Sequence, residues 1–200
     1  MTTAADDARI RVMHGFTTAV AERGYAATTI ADIVAAARVS KRTFYEHFPD
    51  KEACLLATYR ESGDRLEQVL RAAAGEPGTG WRDRVRALVT AYLSALDAAG
   101  PASRTVLVEV QAAGARAFRM RAEIQRRFAT LFAELVASEP ELPPLPPQLA
   151  VAMVGGINEL LLHHADPYTR DGAPFRSLTE TVVEFAGAVI NRGTSTQIDR

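Results

Sequence analysis

Two short helical patterns that lie only three residues apart constrain this chain more than any other feature of its sequence. Thr29 and Asp32 fit a capping box, and apolar residues at helical spacing continue from there to Ala37. Ser40 is placed to cap a second helix, and Pro49 ends that helix because proline disfavours helical geometry in the residue before it. The pattern therefore predicts two short helices joined by a tight turn.

Helical periodicity extends over the remainder of the chain. Alanine, the strongest helix former, occurs 36 times, and no alternating strand pattern is present. One helix is predicted in front of the pair, over about residues 7–23, and a long one behind it, over about residues 51–74. Five more are marked by residues 85–96, 103–114, 124–135, 148–164 and 177–189. The chain is thus predicted to be all-α, with nine helices.

A glycine-rich break, GEPGTG at residues 75–80, divides the chain into a small N-terminal part and a larger remainder. We expect an N-terminal domain over residues 1–50, with the two short helices and their turn at about 29–48. A connecting helix is expected over residues 51–75, and a larger helical domain over residues 80–200.

The composition excludes several classes of protein. With 48% hydrophobic and 24% charged residues, the chain is typical of a folded globular protein. It lacks the run of about 18 apolar residues that a membrane span needs and the apolar stretch of a signal peptide, so we expect a cytoplasmic protein. The single cysteine, Cys54, excludes an internal disulfide and fits either inert packing or oxidant sensing. The net charge of −1 gives no global attraction to polyanions, so any such site must be local.

The two short helices, with a third in front, form a helix-turn-helix, whose second helix can enter the major groove of DNA. Phe44 and Phe48 are four residues apart and are predicted to turn inward, which leaves Arg42, Tyr45 and Glu46 on the outer face. Arg42 can form two hydrogen bonds with a guanine. Phosphates are expected at three helix starts, marked by Lys41, Arg42 and Thr43, by Lys51, and by Thr28 and Thr29.

Residues 24–55, GYAATTIADIVAAARVSKRTFYEHFPDKEACL, resemble the N-terminal pattern of TetR/AcrR-type transcriptional regulators. The resemblance implies a helix-turn-helix domain followed by a helical ligand-binding and dimerisation domain. Two positions depart from the family pattern: Arg38 stands where glycine is usual, and Arg42 where a small residue is common. The implied DNA contacts fall on Thr29, Ser40, Lys41, Arg42, Thr43, Tyr45, His47 and Lys51, of which Tyr45, His47 and Lys51 would hold phosphates.

The predicted fifth to eighth helices have the composition of a pocket for an apolar or amphipathic small molecule, although an ordinary core would have a similar make-up. Glu109 and Asn158 stand in apolar runs, where a polar group either pairs between helices or anchors a ligand. The candidate ligand-binding residues are Tyr92, Glu109, Phe118, Phe128, Met153, Asn158 and His163.

The predicted eighth helix is nearly apolar all round and contains two adjacent glycines. Together with the amphipathic ninth helix it would expose too much apolar surface on a monomer. We therefore expect a homodimer built from these two helices, with an interface that includes Gly155, Gly156, Leu178, Val182, Phe185 and Val189.

These features predict a sequence-specific DNA-binding transcriptional regulator and not an enzyme. The resemblance implies a repressor that a small effector releases from a palindromic operator. The alternative is an all-α enzyme or small-molecule binding protein with an incidental helix-turn-helix, in which Glu109, Glu159, His163 or His164 acts as acid or base. His163 and His164 are adjacent and cannot chelate one metal as an i, i+4 pair could. We expect no catalytic residue, cofactor or metal.

Overall fold

The computed structural model of the chain describes residues 4–75, 80–100, 102–103, 107–165 and 173–191. These residues form eight α-helices and no strand, which confirms the predicted all-α class. The helices are α1 (Ala4–Arg23), α2 (Ile30–Ala37), α3 (Lys41–His47), α4 (Lys51–Ala73), α5 (Trp81–Ala99), α6 (Ala115–Ala137), α7 (Pro147–Ala165) and α8 (Thr179–Asn191). None of these described helices is both long enough and apolar enough to cross a membrane.

The predicted sixth helix, residues 103–114, is described only in part. Ser103 and Leu107 are helical, and residues 104–106 lie outside the described part of the chain. Glu109–Ala112 form a short 3₁₀ helix instead of a turn of α-helix, and Gly114 at φ +90° follows it.

The last helix also begins later than predicted. Ser177 belongs to a 3₁₀ turn, Phe175–Leu178, and α8 starts at Thr179. The Asp97 carboxylate accepts hydrogen bonds from the Phe175 amide at 2.7 Å and the Arg176 amide at 3.2 Å. An acidic side chain from α5 therefore supplies the acceptor for the first backbone amides of this turn.

The chain divides into two compact units. The first contains Met1–Gly63 and Ala99–Arg121, and the second contains Asp64–Ala98 and Ala122–Arg200. The division falls within α4, so this helix contributes residues to both units.

In the first unit, α1 and α2 approach closely at Gly15. A Cβ atom at this position would lie 2.6 Å from the Ala37 Cβ and 2.7 Å from the Ile33 carbonyl oxygen, so only glycine fits there without a shift. Around this contact lies a core of fully buried side chains from the first four helices: Val12, Phe16, Val20, Ile33, Phe44 and Leu55.

Cys54 belongs to the same core. Its side chain is fully buried, and burial raises the pKa of its thiol to about 12. The thiol therefore stays protonated near neutral pH, which favours the packing interpretation over oxidant sensing.

A buried ion pair connects three helix ends in the second unit. Arg84, near the start of α5, pairs with Glu139 just after α6, and both side chains are more than 90% buried. Arg84 also donates to the Ala74 carbonyl oxygen at 2.8 Å and to Ser138 Oγ at 3.0 Å. Removal of either charged partner would leave the other uncompensated, which typically costs about 3–5 kcal/mol.

Candidate nucleic-acid interface

The start of α2 is capped as the sequence predicts. Thr29 Oγ1 accepts the Asp32 amide at 3.3 Å, and an Asp32 carboxylate oxygen accepts the Thr29 amide at 2.9 Å. The Thr29 hydroxyl donates to the same carboxylate at 2.6 Å, and these bonds, with a smaller contribution from Arg23, lower the pKa of Asp32. The Thr29 hydroxyl proton is thus used within the capping box, although the side chain is exposed.

The turn between α2 and α3 forms without the glycine that the family pattern resembled by residues 24–55 usually has at this position. Arg38 adopts the left-handed conformation, with φ 53° and ψ 45°, and is the only described non-glycine residue at positive φ. Its amide donates to the Ala35 carbonyl oxygen at 3.2 Å. This conformation costs a non-glycine residue about 1–2 kcal/mol.

The faces of α3 agree with the prediction. Phe44 is fully buried and Phe48 is 3% exposed, whereas Tyr45 is 55% exposed and stands edge-on to the Phe44 ring at 5.5 Å. Ser40 caps the helix by accepting the Thr43 amide at 3.0 Å. The buried rings therefore fix which side of the helix faces outward, and that side consists of Lys41, Arg42, Tyr45 and Glu46, with Thr43 and His47 half-buried.

Arg42 on this outer face is paired within its own helix. Its Nε donates to Glu46 Oε1 at 3.1 Å, and the Arg42 side chain is 89% exposed. Because an exposed i, i+4 pair contributes only about 0.3–0.5 kcal/mol, a ligand that binds Arg42 can displace Glu46 at little cost.

The side chains of Lys51 and Thr28 donate hydrogen bonds to backbone carbonyl oxygens of this chain. Lys51 Nζ donates to the Tyr25 and Thr28 carbonyl oxygens at 2.7 and 2.8 Å and lies 4.4 Å from the centre of the Tyr25 ring. Partial burial lowers the pKa of this lysine. Thr28 is 2% exposed, and its hydroxyl donates to the Gly24 carbonyl oxygen at 2.8 Å. Thr28 thus does not present its hydroxyl to a phosphate in this conformation, and both residues hold the turn between α1 and α2.

Glu109 binds the same turn. Its Oε2 accepts the Tyr25 amide at 2.8 Å, and its carboxylate oxygens lie 3.8 Å from the position that a Gly24 Cβ would occupy. Of the two interpretations that the sequence left open for Glu109, the structure favours intramolecular pairing. No sequence pattern indicated this partner, which lies 84 residues earlier in the chain.

An apolar cavity lies within the second unit. Three of the predicted ligand-binding residues line it, namely Tyr92, Phe128 and Asn158, and the other lining residues are Leu70, Leu88, Val89, Phe132, Val154, Ile157 and Val182. The cavity has a volume of about 20 Å³, which holds about one water molecule. Asn158 Nδ2 donates to the Val154 carbonyl oxygen at 3.1 Å within α7.

The remaining candidate ligand residues do not line this cavity. Met153 is fully buried, Phe118 is 65% exposed at the surface of the first unit, and His163 is exposed on α7. Periodicity identified the apolar faces but could not tell which of them surround an empty space.

The candidate dimer residues differ from one another in how deeply the structure buries them. Val182 is fully buried within its own chain, and a Cβ at Gly156 would lie 2.8 Å from Cζ of Phe185. Val182 therefore packs inside the protomer, and Gly156 contacts Phe185 of the same chain. At Gly155 a Cβ would meet no atom of the described residues within 4 Å. The other candidate dimer residues are partly exposed: Gly155, Gly156, Leu178, Phe185 and Val189.

Residues 18–58 match the family of bacterial regulatory proteins named tetR. No curated protein matches the chain. Among solved structures, the fatty acid degradation regulator FadR of Bacillus halodurans is 18% identical, with 90% of this chain and 94% of that chain covered and a TM-score of 0.78. FadR of Bacillus subtilis, solved with stearoyl-CoA, is 16% identical over 90% and 98% of the two chains, with a TM-score of 0.75. A tetR-family regulator from Rhodococcus RHA1 is 23% identical over 92% and 96%, with a TM-score of 0.70. At these identities the structures establish a common fold.

The bond between Glu109 and Tyr25 predicts a local effect of mutation. Glu109→Ala should accelerate hydrogen exchange of the Tyr25 amide by about tenfold or more, since a hydrogen bond to a charged group contributes about 1.5–3 kcal/mol. Glu109→Gln keeps a carbonyl acceptor and should preserve most of the protection. Exchange is measured by NMR, with Glu123→Ala, an exposed carboxylate on α6, as the control. Equal protection of Tyr25 in all variants would contradict the assignment.

Proposed function

We propose that this chain is a TetR-family transcriptional regulator, and that it is a repressor which binds a palindromic operator as a homodimer; the match of residues 18–58 and the shared fold support the proposal. A small apolar or amphipathic molecule releases it from DNA. The observation that carries the proposal is the polar outer face of α3, which buried phenylalanines hold outward within the tetR-matched segment.

DNA recognition on this face begins with Arg42. Its guanidinium is held at the surface by a weak bond to Glu46, and it can exchange that bond for two hydrogen bonds to a guanine. Ser40, Lys41, Thr43, Tyr45 and His47 surround it and are proposed to contact the phosphate backbone or base edges. Thr29 and Lys51 support this surface, because their observed bonds fix the start of α2 and the turn before it.

The proposed dimer uses one side of α7 with α8. Val151, four residues before Gly155 and on the same side of α7, is 42% exposed, and Gly155 has open space on its outer side among the described residues. An apolar side chain exposed beside a glycine suits the close approach of a second helix. A twofold dimer would present two α3 helices to the two halves of a palindrome.

The effector is proposed to enter the cavity of the second unit. Drug-sized ligands need about 300–1,000 Å³, so the small cavity must widen when a ligand binds. Leu70 of α4 forms part of its wall, and the same helix begins at Lys51, directly after the DNA-reading segment. A displacement of α4 by the ligand would thus shift the two-state equilibrium between DNA-binding and released forms.

The other candidate function is that of an all-α enzyme or small-molecule binding protein. Glu109 is bound to the Tyr25 amide, and His164 Nε2 lies 2.9 Å from the Ala173 carbonyl oxygen, so these two candidate acid–base groups have structural partners. Within the described ranges no group of three or more metal-ligating side chains is present. The DNA-binding test decides between the two functions.

Selection from a random duplex pool should return a palindromic motif, because the outer face of α3 is the same in both protomers. Arg42→Ala should weaken binding to the selected duplex by about 1–3 kcal/mol and relax its sequence preference. Both effects can be measured by fluorescence anisotropy at several salt concentrations. Arg126→Ala, which removes an exposed charge on α6, is the control and should change affinity little. If no motif is enriched, the regulator proposal is wrong.

The dimer proposal predicts that Gly155→Arg separates the protomers. A Cβ at Gly155 meets no described atom of its own chain within 4 Å, so the new side chain is expected to interfere with a partner helix. Light scattering should show half the mass, and affinity for the palindrome should fall about 100-fold or more because the two half-sites are no longer linked. Thr130→Arg, at an exposed position on α6, should remain dimeric. A monomeric wild-type protein at micromolar concentration would overturn the proposal.

The effector proposal predicts that an apolar ligand both stabilises the protein and weakens operator binding. Stearate and stearoyl-CoA are suitable first probes, followed by a library of lipophilic compounds. A ligand at 100 times its Kd should stabilise the chain by about 2.7 kcal/mol in a thermal melt. By linkage, it must bind the operator complex more weakly by the same factor by which it lowers operator affinity.

Val154→Phe adds a ring to the cavity wall and should abolish ligand stabilisation, whereas Thr130→Phe, at the exposed position on α6, should retain it. A ligand that stabilises the wild-type chain but leaves operator affinity unchanged would show that the cavity is not an inducer site.

A further inference from the structure

Arg38 adopts a backbone conformation that glycine would adopt with less strain. It occupies the left-handed region at the end of α2, between the two short helices. Any residue with a Cβ is strained at these angles, so the arginine side chain does not serve the geometry of the turn. A benefit must come from what the side chain itself contacts.

The guanidinium of Arg38 has no protein partner among the described residues. The residue is exposed, and none of the hydrogen bonds, ion pairs or ring contacts of the described chain involves its side chain. Its neighbour Arg42, by contrast, pairs with Glu46, and Arg9 of the same unit pairs with Glu61. No contact of the side chain within the described chain therefore compensates for the backbone strain at Arg38.

The surroundings of Arg38 are cationic. Lys41 and Arg42 follow within four residues on the exposed start of α3, and in the described part of the chain Glu46 is the one carboxylate that pairs with this group. In a chain of net charge −1, three exposed cations in five residues form a local positive surface. Such a surface next to the proposed DNA-reading face suits a polyanion.

We propose that Arg38 binds a phosphate of the operator backbone and that this contact compensates for the strain of the turn. The proposal rests on the proposed function, because it requires that α3 faces DNA. Arg38 is then a DNA-binding residue that adds affinity for every sequence, whereas Arg42 selects among sequences.

The test compares Arg38→Gly with the wild-type chain in a thermal melt and in titrations of the duplex that the wild-type protein selects from a random pool. Relief of strain should raise the Tm by about 2–4 °C. A plot of log affinity against log salt concentration has a negative slope. Loss of one phosphate contact should make this slope shallower by about 0.9 for each protomer. At 0.15 M salt this corresponds to about fivefold weaker binding per protomer.

Two further variants isolate the charge. Arg38→Lys keeps the charge and the strain, so its salt slope should equal that of the wild type while its Tm stays unchanged. Arg126→Ala removes one positive charge from the second unit and should leave the slope unchanged. A general charge effect would instead make the slope shallower in both Arg38→Gly and Arg126→Ala.

Arg38→Gly is expected to raise the Tm and to weaken DNA binding. A mutation that merely damages the fold cannot do both, so this combination of results is decisive. Unchanged affinity and slope in Arg38→Gly would overturn the assignment, and the proposed function would survive. A lower Tm in Arg38→Gly would also overturn it, since Arg38 would then stabilise the turn. Failure of the wild-type protein to select any duplex would overturn the proposed function together with this inference.

Discussion

The burial of Phe44 and Phe48 is the interaction on which the outer face of α3, the proposed DNA-reading surface, depends. Both rings lie against the core of the first unit, and α3 is only seven residues long. So short a helix is unstable alone, because nucleation costs more than a few hydrogen bonds return. Packing therefore both forms the helix and sets its rotation, and the positions of Arg42 and Tyr45 follow from that rotation.

Local chemistry explains why this part of the chain could be predicted from sequence. The capping box of Thr29 and Asp32, the cap at Ser40 and the inward phenylalanines each depend on residues within four positions of one another. The contacts that the sequence did not reveal join distant segments. The carboxylates of Glu109 and Asp97 accept backbone amides 84 and 78 residues away, and neither pairing has a periodic signature.

The candidate dimer residues near the C-terminus show the same difference between local sequence patterns and contacts with distant segments. Helical periodicity identified Val182 and Phe185 as apolar, but it could not separate a protomer core from a dimer surface. The structure buries Val182 and places the Phe185 ring against Gly156, which leaves Gly155 open among the described neighbours. Adjacent glycines on one helix point about 100° apart, so they meet different surroundings although they are alike in sequence.

The scarcity of lysine has a practical consequence for anyone who handles this protein. Of the two lysines in the chain, Lys51 is held by the Tyr25 and Thr28 carbonyl oxygens, while Lys41 is exposed at the start of α3. Among side chains, amine-reactive dyes, crosslinkers and sensor-chip coupling would therefore modify Lys41, on the proposed DNA-reading face, in preference to other parts of the surface. Attachment chemistry that avoids side-chain amines would keep that face intact.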